Sequence, residues 1–434
     1  MNLQDKIKST ILSNVVPEKE RKVGLEIEGL YYNHQFYRLP VNTTNEYSAS
    51  DLLADANDLL KPDDVFSYSL EPGGQLEWAS GPAVSLWDIE AQYNRHLSIE
   101  NQLCANHDLG RLYLSLEPIC TPDDIDLIQM NKYQLMNDLF RQSGKFGPWM
   151  MRNTTSVQVN IDFTSEEDAN EMAFVADAIQ PLFSILFSNT PFMNGAPVGT
   201  ANMRWRIWED TDPGRCGSLF SHSITNPHQM VDEYSNWIQS VKTIFQYTAD
   251  GDAIAHEGSL KKMIMDNPDE TEYHIVSALH QSFTHVRYKS VLEVRAGDRP
   301  QKGYELSPAA FLLGLLTAPS TRKDVFEIVK QWSYLERKQL DQTAKDISFE
   351  NIGPNNTTIG DWLCTLGGFS LRGLDERSAF FNIKSERPIL EPILNNLLVN
   401  GPKTKQIQNA YKKVGGPLDR FLLDCCLESA SQER

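Results

Sequence analysis

Four segments of this chain deliver an acid, an amide or an arginine at alternate positions, with apolar residues between. They read VGLEIEGL, with Glu26 and Glu28; YSLEPGGQLEWASGP, with Glu71 and Glu77; SVQVNIDF, with Gln158 and Asn160; and VLEVRAGD, with Glu293 and Arg295. Side chains alternate across a strand, so residues two apart point to one face. Glu26 then shares a face with Glu28, Gln158 with Asn160, and Glu293 with Arg295, while Ile27, Val159 and Val294 turn toward a core. Converging carboxylates repel one another unless cations lie among them. Hard divalent ions that take oxygen ligands, Mg²⁺ or Mn²⁺, are the natural countercharge.

The rest of the chain alternates helical and strand patterns. A short helix is expected within residues 1–15, and a longer one over 84–108, where Leu86, Ile89, Tyr93 and Leu97 recur at near-helical spacing. Thr164 and Glu167 read as a capping box opening a third helix, which Pro181 would kink. A loop-rich stretch around 190–220 follows, then helices over 227–249 and 306–317 flanking a strand at 284–296. From about 320 the pattern is mostly helical, broken at IGPNNTTIG (352–360). Separate strand pairs and helices in this order predict an α+β fold with an antiparallel sheet. The expected division is a catalytic domain over 1–340 and a mostly helical region over 341–434 packed on it.

Composition narrows the function. The 434 residues are 41% hydrophobic and 23% charged, ordinary for a globular chain, and the net charge of −18 argues against a nucleic-acid partner. No apolar run approaches membrane-spanning length, and MNLQDKIKST lacks the apolar core of a signal peptide. The six cysteines show no C-x-x-C spacing, so reduced thiols in a cytoplasmic protein are expected. Neither a P-loop nor a G-x-G-x-x-G fingerprint occurs. Nucleotide phosphates, if bound, would be held through metal and arginine. The nine histidines show no ligand spacing, and His285 reads as structural.

The stretches GLEIEG, SLEPGGQLEWASGP, TSVQVNIDFTSEEDA, QPLFSILFSNTPFMNG, MRWRIWEDTDPGRCG and HVRYKSVLEVRAGD run in one order over about residues 20–320. Together they resemble the glutamate–cysteine ligases of the plant and proteobacterial type, within the carboxylate–amine ligase group. The resemblance implies a glutamine-synthetase-like fold, whose antiparallel sheet curls into a funnel around ATP, two or three Mg²⁺ ions and L-glutamate. It implies phosphorylation of the glutamate γ-carboxylate and attack of the L-cysteine amine on the acyl phosphate. Another amine as acceptor, or a non-catalytic relative that binds nucleotide or amino acid, are the alternatives. A monomer or homodimer is expected.

Carried over by residue, Glu26, Glu28, Glu71, Glu77, Glu293 and Asn160 would face metal. Gln158, Arg204, Trp208 and Arg152 would bind substrate, with core packing as the plainer reading of Trp208 and its neighbour Trp205. Arg287, Lys289, Arg295 and Arg215 would hold phosphate, with Arg204 and Arg295 as the catalytic pair, because a guanidinium offers a planar two-toothed fork. Gly73 and Gly74, between two of the glutamates, read as a tight turn or a point of close backbone approach to ligand. The chain departs from the family pattern at Arg152–Asn153, and at Arg295–Pro300, where the usual R-G-A-D-G-G-P reads R-A-G-D-R-P.

Overall fold

The protein is described by a computed structural model covering residues 2–248 and 250–429. Eight strands form its central sheet: β1 (Val23–Asn33), β2 (Ser67–Leu70), β3 (Leu76–Ala79), β4 (Leu109–Leu112), β5 (Ser156–Ile161), β6 (Val286–Tyr288), β7 (Leu292–Asp298) and β8 (Leu427–Ser429). Their order is β6–β7–β5–β1–β3–β2, with β4 added to the far half of β1 and β8 to β4. Every pairing in it is antiparallel, so the α+β expectation holds.

The register brings the four predicted segments side by side. Glu28 stands opposite Glu77, Glu26 opposite Gln158, and Glu293 opposite Asn160. The odd-numbered partners Ile27, Val157 and Val159, with Trp78 and Val294, are buried on the opposite face. There the helix Glu166–Leu186 packs on β7, backed by the apolar helix Ser307–Leu316 and then Ile359–Phe381. Burying one face of a period-2 pattern fixes which side chains reach the other face.

Several local expectations shift. The helix Glu166–Leu186 is capped by Ser165, which accepts from Asp168 N, one residue on from the Thr164–Glu167 box; it runs on through Pro181. The helix expected over 227–249 is only Met230–Trp237, followed by a hairpin of Phe245–Tyr247 with Ala253–Ala255. The strand expected at 284–296 is interrupted: β6 and β7 form a hairpin that turns at Lys289, whose N–H donates to Val291 O at 3.0 Å. The stretch 190–220 contains a helix, Met203–Glu209. Beyond residue 341 the chain is helical as expected, yet it also contributes β8 to the main sheet. Among the described residues no helix is long and apolar enough to cross a membrane. All six cysteines are free thiols.

Candidate active site

The polar face of the sheet floors a cavity of about 470 Å³. Glu26 and Glu28 reach it from β1, Glu77 from β3, Gln158 from β5, Arg287 from β6 and Arg295 from β7; Glu71 and Lys289 enter from the turns beside β3 and β7. The short helix Met203–Glu209 closes one side with Arg204 and Trp208. Trp205 anchors that helix by stacking on His285 (centroids 4.3 Å apart) and donating its indole N–H to Asp341 O at 3.1 Å. Burial, with Arg204 and Arg295 nearby, drops the His285 imidazole to about 3, so it stays neutral against Trp205.

Charge is divided across this cavity. On one side lie Glu28, Glu71 and Glu77. Burial and the neighbouring Glu77 push the Glu28 carboxyl up to about 7, although Ser156 Oγ donates to it at 2.7 Å and Gln158 Nε2 at 3.1 Å. Burial and Glu28 likewise push Glu71 up to about 7, and burial with Glu71 and Glu26 holds Glu77 well above the usual range. These three carboxylates are short of positive charge. On the other side Glu293, fully buried, is enclosed by cations: Arg287 Nε, Lys289 Nζ at 2.5 Å and Arg295 Nη1 at 2.9 Å. Burial opposes its ionisation, but these three neighbours outweigh that and hold its carboxyl well below the ordinary range.

A bulge shapes the cationic side. Val294 pairs with Val159 and Gly297 with Val157, so Arg295 and Ala296 together oppose Gln158. The extra residue bends β7, and Arg295 donates to both Gln158 Oε1 (2.8 Å) and Glu293. Arg204 donates to Arg295 O at 3.2 Å and lies 3.8 Å from Asp298, while its Nε has no partner within the protein. Trp208 lies beneath both guanidinium groups, 5.8 Å from that of Arg204 and 5.7 Å from that of Arg295.

Asn160 lies off the main cavity. It donates to Glu26 at 3.0 Å and lines an adjoining hollow of about 190 Å³ that shares Glu26 with the main one. Two expected residues lie elsewhere. Arg152 sits on the helix Gly147–Asn153, donates to Asn137 Oδ1 at 2.9 Å and does not reach the cavity, because that helix packs its backbone against Gly73. Arg215, expected to hold phosphate, is folded onto Asp212 (2.7 Å) and Gln281 O in the turn after the Met203–Glu209 helix and does not line the cavity. Gly73 and Gly74 form a plain turn: Gly74 has φ 79°, and Gly73 lies against Arg152 backbone.

The sequence reading missed the cavity's apolar wall, made by Tyr133, Met136, Met150, Phe245, Tyr247 and Phe283. In sequence these are ordinary core residues of helices and short strands, with no spacing that singles them out. Among the described residues no three His, Cys, Asp or Glu side chains close on one point as a ready-made metal cage.

This site and fold can be set beside known proteins. A family model described as glutamate-cysteine ligase family 2 matches residues 22–348, and the chain belongs to that family. It is 29% identical over 287 residues to the chloroplastic glutamate–cysteine ligase of Arabidopsis thaliana, covering 63% of this chain and 53% of the relative. The Brassica juncea enzyme is 30% identical over the same length, with 54% of it covered. The chain therefore spans about half the length of the curated relatives it matches. Among solved structures, the Francisella tularensis glutamate–cysteine ligase in complex with AMP superposes with a TM-score of 0.57 at 14% identity, covering 93% of this chain and 87% of that one. The Pasteurella multocida bifunctional glutathione synthetase gives 0.52 at 13%, covering 97% and 52%. The α+β, glutamine-synthetase-like architecture is thus shared.

Proposed function

We propose that this protein is an ATP- and Mg²⁺-dependent ligase that joins the γ-carboxylate of L-glutamate to the amine of L-cysteine through γ-glutamyl phosphate. The observation that carries this reading is the charge division of one cavity: Glu28, Glu71 and Glu77 face Arg204, Arg287, Arg295 and Lys289 across it. The carboxylates fit a hard divalent ion, being oxygen donors whose raised pKa values mark missing countercharge. With no closed cage, phosphate oxygens and water would complete the coordination, as Mg²⁺ prefers. When bound, two or three such ions, Mg²⁺ or Mn²⁺, supply charge that lets two anions approach.

The chain's own groups then have distinct work. Arg295, fixed by Gln158 and Glu293, presents its guanidinium toward the transferring phosphate, with Lys289 and Arg287 beside it. Arg204, with Nε free, is placed to hold a substrate carboxylate. Glu26, Glu28, Glu71 and Glu77 bind the ions; Glu293 instead neutralises the cations, and Asn160 orients Glu26. Phosphate becomes the leaving group that an ionised carboxylate lacks, so the amine can attack. The apolar wall favours a second reading with another small amine as acceptor, because such a wall separates a thiol from a methyl or hydroxyl only weakly.

The test measures ADP release with glutamate and ATP while amino-acid acceptors are added singly, using glutamate labelled with ¹⁸O in its carboxylate. ADP release with cysteine, and ¹⁸O in the phosphate, are expected. Release with a different amine selects the second reading, and AMP with pyrophosphate as products overturns the acyl-phosphate route.

A further inference from the structure

Behind the acidic face, β1 has a weak point in its ladder. It pairs with β5 through Ile27 and with β4 from Leu30, so neither partner covers Glu28 and Gly29. Arg299 fills that gap. Its side chain is 1% exposed, and Nη1 donates to the backbone carbonyl of Glu28 at 2.7 Å. The Arg299 backbone is itself pinned: its N–H donates to Ser115 Oγ, and its carbonyl accepts from Asn189 Nδ2 at 2.8 Å. The guanidinium lies over Tyr113, 4.9 Å from the ring centre. Gly29 leaves it room, since a Cβ there would stand 2.6 Å from Nη1, nearer than any side-chain carbon settles.

We infer that Arg299 is a positioning residue for the acidic cluster, setting the backbone of Glu28 from behind the sheet, with Gly29 as its required complement. The inference rests on reading that cluster as the metal-facing side of the site. A glutamate oxygen misplaced by a fraction of an ångström costs metal affinity, and partners just outside a ligand shell commonly control about ten- to a hundredfold of it.

Because Gly29 adopts an ordinary strand conformation, Gly29→Ala presses chiefly on the guanidinium, which must shift from its place on Glu28 O. Mn²⁺ binding is measured directly by electron paramagnetic resonance, without ATP or amino acids, so the result stands whatever reaction is catalysed. Gly29→Ala should weaken Mn²⁺ by about tenfold or more, and Arg299→Lys similarly. The double variant Gly29→Ala/Arg299→Lys should bind better than Gly29→Ala alone, because lysine lacks the atom that the methyl displaces. A purely structural role would lower the melting temperature and leave Mn²⁺ affinity of the folded fraction unchanged, and that outcome overturns the inference. If Gly29→Ala does not fold, unchanged affinity in Arg299→Lys overturns it equally. Loss of Mn²⁺ binding in the wild type would instead refute the reading of the cluster itself.

Discussion

Glu28 and Glu71 line the cavity and Glu293 lies buried behind its cationic side; the three are the same chemical group, and their surroundings drive them in opposite directions. Glu293 has three cations in contact and stays ionised, while Glu28 and Glu71 are pushed up to about 7 by burial and by neighbouring carboxylates. A carboxyl whose pKa is raised on folding stabilises the protein at low pH and loses that contribution as pH rises through the folded value. In the unfolded chain Glu28 and Glu71 ionise near 4.5, so between there and about 7 the folded protein holds protons that the unfolded chain has released. Metal-free protein should therefore lose on the order of a few kcal/mol from this pair between pH 5 and 7, and level off above. His285 acts in the opposite sense, costing stability as pH falls below 6.5, because its folded value lies near 3. Denaturant titrations at a series of pH values separate the two: Glu71→Gln should flatten the carboxylate contribution and leave the histidine one. Saturating Mg²⁺ should also flatten it. A slope identical in wild type and Glu71→Gln would mean that Glu71 is ionised without metal.

The turn between β2 and β3 shows how a small element places two of the acids. Glu71 N–H donates to Gln75 O and Gly74 N–H to Glu71 O, both at 2.9 Å, while Gly73 N–H reaches Gln75 Oε1 at 2.9 Å. Gln75 also donates to Thr154 O at 2.8 Å, tying the turn to the helix before β5. A Cβ on Gly73 would stand 2.5 Å from Arg152 Cα, which is backbone and cannot swing aside. Gly73→Ala should cost about 1–3 kcal/mol and shift Glu71 with the turn, lowering turnover more than stability. Thermal melts and steady-state kinetics on one preparation check this, and wild-type turnover in the variant would refute it. Elements like this were legible in sequence because the strand period is 2 and the acids repeat with it. Glu26, Glu28, Gln158 and Glu293 declared their face before their neighbours were known. Other parts were hidden by tertiary choice. Lys289 and Ser290 carry no turn signature, so β6 and β7 read as one strand, and Tyr133 or Tyr247 becomes a wall residue only when distant segments meet. Arg215 sat in a matching motif and Arg152 at a departure from one, and other partners, Asp212 and Asn137, claimed them.

At the scale of the whole molecule one sheet joins strands from far apart in the chain, β1 at Val23–Asn33 and β8 at Leu427–Ser429. β8 pairs with β4 and brings Glu428 against Arg111 Nη2 (2.9 Å), Tyr113 OH (2.6 Å) and Lys302. Arg111, 2% exposed, also holds Glu100 at 2.6 Å. Truncation before Leu427 removes one of the two carboxylates facing a buried guanidinium and uncovers β4. The expected loss is about 3 kcal/mol, with greater aggregation from the bared edge. Denaturant unfolding of the truncated chain, with light scattering, tests this, and unchanged stability would show β8 to be dispensable. The placement of β1 has a different consequence, one for how such a chain can change over generations. This strand carries Glu26 and Glu28 on one face and Leu25 and Ile27 on the other, with β5, β3, β4 and the Arg299 clamp all keyed to its register. Inserting or deleting a single residue inside it would exchange the faces beyond that point, driving carboxylates into the apolar layer and leucines into the cavity. Point replacements can be sampled here one side chain at a time, but changes of length have no partial version, so descendants of this sequence can vary in length on either side of Val23–Asn33 and not within it.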